Sequence, residues 1–469
     1  MSELTAEEVE LGTGGTLASG SRDTVFAGVS IDTRSLQRGD LFFAIRGPNQ
    51  DGHRFVQDAL AKGALGAVVE RAYEYPGIFP GALVKVEDTH KALKGLAMTV
   101  RRRWPGILVA VTGSMGKTTT RTFVAQVLQN AFSVYETPGN YNNLFGLPLA
   151  LFGLRPQHDF GIFEMGMSAP GEIAEMCRIA APSIGILTNV APVHLAFFDS
   201  IEDIARAKGE LAQALPSDGM LIYNADDELV RAIARNFSGH KISFGFSDLA
   251  DVRAENVAID GPEATRFDLR FGKKAWNASV PFAGAHYVMN ALPAVALGYQ
   301  FKIAPQQMIE RLDRLQQASM RGRTLRFAEG FTVIDDSYNS NPRALEKMIE
   351  VLSGIPGFTR RILVAGEMLE LGKDSEGMHF ECGTYAARRG LDMVVGIQGA
   401  ARETVRAAIQ SGIGDTQARF FETAEAAADF VANVLRKGDL VLVKGSRGVH
   451  TEKIVQSLRS RFELLNWRE

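Results

Sequence analysis

The chain of 469 residues is too long for one ordinary core and predicts roughly three domains. Apolar residues make up 46% of it, charged residues 22%, and the net charge is -3; this composition excludes a disordered chain, a fibre and a nucleic-acid coat. The acidic N-terminus lacks a signal core and no segment approaches the roughly 20 apolar residues of a membrane span. We therefore expect a cytoplasmic protein with no membrane span and no nucleic-acid partner.

The sequence of residues 1–88 predicts a small N-terminal α/β module. Short strand patterns over 25–33, 40–45 and 65–70 accompany a helical pattern over 54–64.

A second domain, residues 89–318, is predicted to be larger and mostly parallel. A helix from Thr89 leads to an apolar run at 107–111, typical of a strand buried on both faces. Further apolar strands alternate with helical patterns, which indicates a doubly wound sheet; they cover 161–165, 183–189 and 220–224. Between residues 252 and 282 the strands alternate without helices, which predicts an antiparallel annex, and helices over 286–299 and 305–317 close the domain.

Residues 319–469 predict a third domain with a Rossmann-like parallel sheet. Its strand patterns and helical patterns alternate; the strands cover 331–337, 360–368, 392–398, 418–422 and 439–446. Ligands of such sheets lie at the carboxyl ends of the strands. Those ends carry Asp335, Asp336, Gly366, Glu367, Lys444 and Ser446.

The segment VAVTGSMGKTTT between a buried strand and a helix is typical of a phosphate-binding loop. Lys117 is placed to reach terminal phosphates and the Thr118 hydroxyl to bind Mg²⁺. The usual first glycine is replaced by Val111, so the loop has the shorter spacing T-G-x-x-G-K-T. We expect nucleotide contacts from Thr112, Gly113, Ser114, Met115, Gly116, Lys117, Thr118 and Thr119. The loop alone does not distinguish a kinase, an NTPase and a ligase.

Three side chains outside the loop are candidates for a functional site, and only Glu164 suggests a metal ligand by its position. Glu164 ends an apolar strand, which favours a ligand facing the crevice. His194 follows another strand, where a histidine taken alone is more often structural. Lys208 interrupts an apolar helical stripe between Ile204 and Leu211, so it either extends to the surface or points into a site that neutralises it. Cys177 and Cys382 lack metal-ligand spacing, so we expect both to be buried and reduced.

Segments over nearly the whole chain resemble the Mur ligase family, a relative of folylpolyglutamate synthetase. They include the shortened loop and the segments at 31–55, 137–151, 163–173, 188–211, 335–342, 366–372 and 441–448. The resemblance implies an ATP-dependent amide ligase of peptidoglycan precursor synthesis that joins D-alanyl-D-alanine to UDP-N-acetylmuramoyl-tripeptide through an acyl phosphate.

The resemblance also implies roles for single residues. Mg²⁺ is expected at Thr118, Glu164, His194 and a carbamylated Lys208. ATP is expected to contact His286, Asn290, Arg323 and Asp336, and the last domain to close on ATP about a hinge near 319–321. The asparagines at 140–143 form an amide cluster suited to the acyl phosphate or the muramoyl substrate. Asn143 is expected beside the acyl phosphate, and the sequence leaves open which of the loop asparagines contacts it. Remaining substrate contacts are expected from Asp32, Thr33, Arg34, Asp51 and His53 toward the uridine nucleotide, and from Asn140, Asn142, Tyr338, Asn341, Lys444 and Ser446.

Structural alternatives stay open for these residues, because amide-rich turns and exposed arginines are common. A phosphate-loop kinase or NTPase and a binding module without turnover are the rival functions. We expect a monomer, and the sequence leaves open whether lysine or diaminopimelate occupies the third peptide position.

Overall fold

The computed structural model describes residues 4–47, 50–192, 198 and 200–465. Three large sheets, of five, nine and six strands, follow one another along the chain. Helices cover them, and the central and third sheets are mostly parallel. No helix within the described part of the chain is long and apolar enough to span a bilayer.

The first sheet has the strand order β2-β7-β6-β5-β4, and β2 is its only antiparallel member in the described structure. A short ribbon of β1 and β3 packs beside it. In chain order the elements are β1 (Leu4–Thr5), α1 (Ala6–Thr13), β2 (Thr16–Ser19), β3 (Val25–Phe26), β4 (Val29–Ser30), β5 (Leu41–Phe43), α2 (Val56–Ala61), β6 (Gly66–Glu70) and β7 (Ala82–Val86).

The central sheet has the order β16-β15-β14-β13-β12-β11-β8-β10-β9. Its elements are α3 (Thr89–Arg103), β8 (Ile107–Thr112), α4 (Lys117–Leu128), β9 (Val134–Glu136), α5 (Gly146–Leu151), β10 (Phe160–Glu164), α6 (Glu172–Ala180), β11 (Ile184–Leu187), α7 (Ile201–Ala214), β12 (Met220–Asn224), α8 (Glu228–Arg235), β13 (His240–Gly245), β14 (Val252–Ile259), β15 (Thr265–Phe271), β16 (Lys274–Val280), α9 (Ala285–Gln300) and α10 (Pro305–Leu312). Strands β14, β15 and β16 pair antiparallel, which confirms the predicted annex.

Strand β8 shows why a continuous apolar run marks the centre of this sheet. Leu108 and Ala110 join the core on the side of α3, whereas Val109 and Val111 join the core under α4 and α9. Alternate side chains of a strand point to opposite faces, so both must be apolar when helices cover both faces.

Helix α10 ends at Leu312, five residues before the predicted end at Gln317. The Gln126 side chain explains the early end: its Nε2 donates to the Gln316 carbonyl at 2.7 Å, and its Oε1 accepts from the Gln316 N–H at 2.8 Å. These bonds use backbone groups that a continuing helix would need.

The third sheet has the order β17-β18-β22-β19-β20-β21, with only β17 antiparallel among the described strands. Its elements are β17 (Arg323–Arg326), β18 (Thr332–Asp336), α11 (Pro342–Gly354), β19 (Arg360–Gly366), α12 (Ser375–Arg388), β20 (Met393–Ile397), α13 (Ala401–Gln410), β21 (Ala418–Phe421), α14 (Ala424–Val434), β22 (Asp439–Lys444) and α15 (Glu452–Arg461). The predicted fold class is therefore confirmed. The division into domains at residues 88/89 and 318/319 stays a prediction.

Both cysteines are free and buried. Burial raises the pKa of each thiol to about 12, so neither is a reactive thiolate at neutral pH.

Candidate active site

Two glycines shape the loop between β8 and α4. Gly113 has φ 149° and Gly116 has φ 78°, values that side chains rarely tolerate. A Cβ at Gly113 would lie 1.9 Å from Oγ1 of Thr188, and one at Gly116 would lie 2.3 Å from Oδ1 of Asn290. Both positions require glycine for backbone conformation and for space.

The residues after β11 hold the loop in this shape. The Met115 N–H donates to Oδ1 of Asn189 at 2.9 Å, and the Thr188 hydroxyl donates to the Met115 carbonyl at 2.7 Å. Oγ of Ser114 accepts from the Ala191 N–H at 2.8 Å. Ser114 and Met115, which are predicted to contact the nucleotide, therefore also form hydrogen bonds that shape the loop. Thr112 is fully buried and donates to the Met165 carbonyl, so its hydroxyl holds β8 to the chain after β10.

Lys117 begins α4 and folds back over the loop. Its Nζ donates to the carbonyls of Gly113 at 2.8 Å and Ser114 at 3.2 Å. Burial lowers the pKa of Lys117, and nearby Glu164 opposes that shift. A half-buried cation at a helix N-terminus is suited to an anionic ligand such as a phosphate.

Thr118 and Glu164 lie in direct contact, as a shared metal site requires. The Thr118 hydroxyl donates to Oε2 of Glu164 at 2.7 Å, and Nδ2 of Asn142 donates to Oε1 at 2.8 Å. Arg121, 3.5 Å from Oε2, is itself bonded to Glu136. No group of three His, Cys, Asp or Glu side chains suited to a metal occurs among the described residues. One carboxylate and one hydroxyl fit Mg²⁺ that takes its other ligands from phosphates and water.

Lys208 points inward from α7, where it is 2% exposed and lines the same cavity as Glu164. No described residue forms a hydrogen bond or ion pair with its amine. Burial first, and the charge of Lys117 second, lower its pKa well below the ordinary value. The reading in which Lys208 reaches the surface is therefore wrong. Ser200 caps this helix, accepting from the Asp203 N–H. His194, the other predicted metal ligand, lies outside the described residues.

Two cavities adjoin the phosphate loop. The amide-lined cavity, of about 500 Å³, contains the loop, Glu164, Lys208 and the asparagine segment at 140–143. The apolar cavity, of about 470 Å³, lies under α9 and α11. They meet at Met115, Gly116, Arg321, Asp336, Ala344 and Lys444.

The apolar cavity contains the predicted residues Thr119, His286 and Asn290, together with Phe246, Ile259 and Met348. Burial, aided by the charges of Lys444 and Lys347, lowers the pKa of His286 to about 3, so its ring is neutral at physiological pH. A neutral ring among apolar side chains suits a flat heteroaromatic group.

The three asparagines of the 140–143 segment all line the amide-lined cavity. Asn142 holds Glu164, as described above. Oδ1 of Asn143 accepts from the N–H groups of Phe145 and Gly146, which fixes the start of α5. Asn140 is exposed.

The carboxyl ends of strands in the third sheet form the opposite wall of the amide-lined cavity. Asp336 and Lys444 are register partners on β18 and β22, and their side chains form an ion pair of 2.5 Å. Tyr338 and Asn341 line the amide-lined cavity, and Asn341 also caps α11. Ser446 does not line either cavity: it is buried and accepts from the Leu369 N–H, so it supports the loop after β19.

The ATP contact expected of Arg323 stays a prediction. Arg323 is exposed at the start of β17 and lines neither cavity, whereas Arg321 lines both. The intervening Gly322, with φ 78°, turns the chain between them.

The predicted uridine-nucleotide residues lie in the first sheet region, away from both cavities. Arg34 grips the Asp32 carboxylate, and these hydrogen bonds lower the pKa of Asp32 to about 2. The Thr33 carbonyl accepts from Lys62. Nδ1 of His53 contacts Asp51 at 2.6 Å and its Nε2 accepts from the Glu70 N–H at 2.9 Å, so both ring nitrogens have partners within the protein. The nucleotide contact of His53 stays a prediction.

Sequence reasoning missed four site residues. Arg121 and Asn189 were passed over because a helix interior and a strand end give no distinctive signal. Arg321 was read only as part of a hinge, and Glu136 lies in a short strand that was not predicted. Their roles appear only in the fold. Glu136 on β9 reaches Arg121, Asn189 after β11 reaches the loop, and Arg321 comes to the cavity with the third sheet.

Family models match consecutive parts of the chain. They are the Mur ligase family, catalytic domain (residues 25–102), the Mur ligase middle domain (residues 111–298) and the Mur ligase, glutamate ligase domain (residues 320–447). The chain belongs to the Mur ligase family.

Its relatives include enzymes named UDP-N-acetylmuramoyl-tripeptide--D-alanyl-D-alanine ligase. The Bacillus subtilis protein is 33% identical, with 95% of this chain and 96% of the relative covered, and the Escherichia coli protein is 32% identical, with 93% and 94% covered. Among solved structures, MurF from Acinetobacter baumannii has a TM-score of 0.87 at 29% identity, covering 98% of this chain and all of the other. MurF ligase from Thermotoga maritima, in complex with ADP, has a TM-score of 0.81 at 27% identity, covering 92% and 97%.

Proposed function

We propose that this chain is the ATP-dependent amide ligase that joins D-alanyl-D-alanine to UDP-N-acetylmuramoyl-tripeptide in peptidoglycan precursor synthesis. One observation carries the proposal: an apolar cavity and a polar cavity meet at a phosphate loop, in a chain matched over 95% of its length by a ligase of that name. ATP would enter the apolar cavity, and the tripeptide carboxylate the amide-lined one.

The first step transfers the γ-phosphoryl group of ATP to the tripeptide carboxylate. One carboxylate oxygen bonds to phosphorus as the bond to ADP breaks, which gives an acyl phosphate. Lys117 binds the transferred group when its amine leaves the Gly113 and Ser114 carbonyls. Thr118 and Glu164 would hold Mg²⁺, which would neutralise phosphate charge when bound.

In the second step the amine of D-alanyl-D-alanine attacks the acyl carbon. The tetrahedral species loses phosphate and a proton, which leaves the amide. Asn143 faces this cavity, and its neighbour Asn142 fixes Glu164. The Tyr338 and Asn341 wall would receive the dipeptide. Closure of the third sheet onto the loop would keep water from the acyl phosphate.

Lys208 is proposed to be carbamylated. Its neutral amine would add to CO₂, forming an N–C bond and releasing one proton. The product is an anion with two oxygens of the kind Mg²⁺ prefers. The lowered pKa and the absence of a described partner support this, since a buried ammonium beside Lys117 would be repelled.

The first sheet region is proposed to bind the uridine nucleotide. Arg34, 88% exposed, could grip a diphosphate if it released Asp32.

Phosphate release, followed with the tripeptide and dipeptide supplied singly and together, tests the function. The ligase predicts release only with both present, with a pentapeptide of matching mass. Steady release without an amine would indicate a kinase or NTPase. No release with any combination of the substrates would indicate a binding module. Rates with tripeptides that carry lysine or diaminopimelate show which residue the enzyme accepts at the third peptide position.

A further inference from the structure

A buried arginine, Arg121, lies on α4 four residues after Lys117. Its side chain is 5% exposed and lines neither cavity, so any part it has in the reaction must act through other residues. A buried charge is costly unless partners compensate it. The partners of this guanidinium therefore indicate what it does.

The guanidinium holds the start of the asparagine segment at 140–143. Its Nε donates to Oε1 of Glu136 at 2.8 Å, and its Nη1 donates to the Gly139 carbonyl at 3.0 Å. The same Glu136 oxygen accepts from the Thr122 hydroxyl at 2.6 Å. Gly139, with φ 54°, is the residue directly before the segment, so the chain enters the segment through a turn that Arg121 holds.

The other end of the segment is tied to the candidate metal carboxylate. Nδ2 of Asn142 donates to Oε1 of Glu164 at 2.8 Å, and the Asn142 carbonyl accepts from the Gly166 N–H at 2.7 Å. Nη1 of Arg121 lies 3.5 Å from the second oxygen of Glu164, Oε2. The arginine therefore lies between the two attachments of one segment, and a shift of the arginine would move the asparagines relative to Glu164.

The charges around Arg121 leave the site anionic. The guanidinium is closer to Glu136, at 2.8 Å, than to Glu164, at 3.5 Å. Two carboxylates around one guanidinium leave one net negative charge. Because Glu136 offsets the arginine, the Glu164 carboxylate keeps its attraction for a divalent cation. Without the charge of Glu136, the arginine would cancel that of Glu164.

We propose that Arg121 is a positioning residue for the ligase reaction, which fixes the asparagine segment relative to Glu164. Glu136 is its charge partner and keeps the metal site anionic. This inference rests on the proposed function, since it takes Glu164 as a ligand of Mg²⁺ and the asparagines as neighbours of the acyl phosphate. It gives the pair two separable effects, one through charge and one through hydrogen-bond geometry.

Mn²⁺ affinity in the presence of ADP, measured by electron paramagnetic resonance, tests the charge. Glu136→Gln keeps an oxygen that can accept from Arg121 and Thr122 but removes the offsetting charge, so the affinity should fall about 10-fold. The double variant Arg121→Met/Glu136→Gln removes both charges, so its affinity should return to the wild-type value. Wild-type affinity in Glu136→Gln would overturn the charge role, and so would a double variant that binds as weakly as Glu136→Gln.

Steady-state kinetics at saturating Mg²⁺ test the positioning role. The double variant lacks both bonds to the start of the segment, so its kcat should fall about 10-fold with an unchanged KM for ATP. Arg121→Lys keeps the charge and one long donor, so it should recover part of that rate and bind Mn²⁺ as the wild type does. Arg178→Met removes an exposed arginine of α6 that pairs with Glu175, and it should match the wild type. A double variant with wild-type kcat would refute the positioning role.

Hydrogen exchange followed by mass spectrometry needs neither turnover nor metal. The amides of residues 139–143 should exchange about 10-fold faster in the double variant than in the wild type, while those of α13 in the third sheet keep their rate. An equal increase in both places would mean that the variant is only less stable, and would refute the positioning role. If the wild type shows no turnover that depends on both substrates, the proposed function fails, and hydrogen exchange and Mn²⁺ affinity still test Arg121 and Glu136.

Discussion

The hydroxyl of Thr118 donates a hydrogen bond of 2.7 Å to Oε2 of Glu164, joining the first turn of α4 to the end of β10. The register explains the contact: Glu164 lies opposite Val111 in the parallel pair of β10 and β8, one residue before β8 ends. The phosphate loop and the candidate metal carboxylate are therefore fixed to each other by the sheet.

Glu164→Gln can still accept from Asn142 through its oxygen and donate to the Thr118 hydroxyl through its NH₂ group, but it removes the charge that a divalent cation needs. We expect Mn²⁺ affinity in the presence of ADP, followed by electron paramagnetic resonance, to fall roughly 10- to 100-fold. Glu172→Gln in the same cavity is the control, because its carboxylate bonds the Ser168 and Ala169 N–H groups instead. Equal affinities in wild type and Glu164→Gln would remove Glu164 from the metal site.

Arg121 should matter more to stability than its place in a helix suggests. Its side chain is 5% exposed and lies between Glu136 at 2.8 Å and Glu164 at 3.5 Å. Arg121→Met would leave two carboxylates without their shared cation, so we expect a loss of about 3 kcal/mol of unfolding free energy in urea titrations. Adding Glu136→Gln should restore part of that loss. A double variant no more stable than the single one would mean that Arg121 acts through packing alone.

Carbamylation of Lys208 can be observed directly. Wild type equilibrated with ¹³C-labelled bicarbonate should show a carbamate signal in ¹³C NMR that is absent from Lys208→Ala. Because the added anion would serve the metal site, the alanine variant should lose acyl phosphate formation much more than ATP binding, and a short carboxylate should restore part of the activity. Identical spectra for the two proteins would mean that Lys208 is a buried, unmodified amine.

The lowered pKa of His286 predicts that the folded protein loses stability as the pH falls. Its pKa falls from 6.5 to about 3 in the fold, so below 6.5 the unfolded chain takes up a proton that the folded chain refuses. Stability is then complete above pH 6.5 and decreases as pH falls toward 3. We expect wild type to lose roughly 1 kcal/mol more than His286→Gln between pH 7 and pH 5.5, measured by urea unfolding. Since burial also lowers the pKa of His90 and His379, only the difference between the two proteins counts. Parallel profiles would contradict the prediction.

Apolar runs and spacing predicted most strands and helices because these depend on local periodicity. Helix α1 was missed because only Ala6 and Val9 of it are buried, although Thr5 and Glu8 form a capping box that was a usable signal. The end of α10 was missed because Gln126, nearly 190 residues away in sequence, decides it.

The site was predictable where one segment carries the chemistry and not where separate segments meet. The phosphate loop and Lys208 stand out in the sequence, the first by its glycines and the second by its place on an apolar stripe. Which of Arg321 and Arg323 lines the two cavities depends on the turn at Gly322 and on contact with Tyr338, and no local pattern encodes these. The hydrogen bond to His53 was not predictable for the same reason, because its donor, the Glu70 N–H, belongs to a separate segment, β6.

The fate of one oxygen atom tests the central claim most directly. Tripeptide carrying ¹⁸O in both oxygens of its reacting carboxylate is converted with ATP and D-alanyl-D-alanine, and the released phosphate and the product are analysed by mass spectrometry. An acyl phosphate places one carboxylate oxygen on phosphorus and then releases it as the acyl carbon forms the amide. We therefore expect one ¹⁸O in each phosphate and one in the new amide carbonyl. Unlabelled phosphate, or phosphate released without a pentapeptide, would contradict the proposed function.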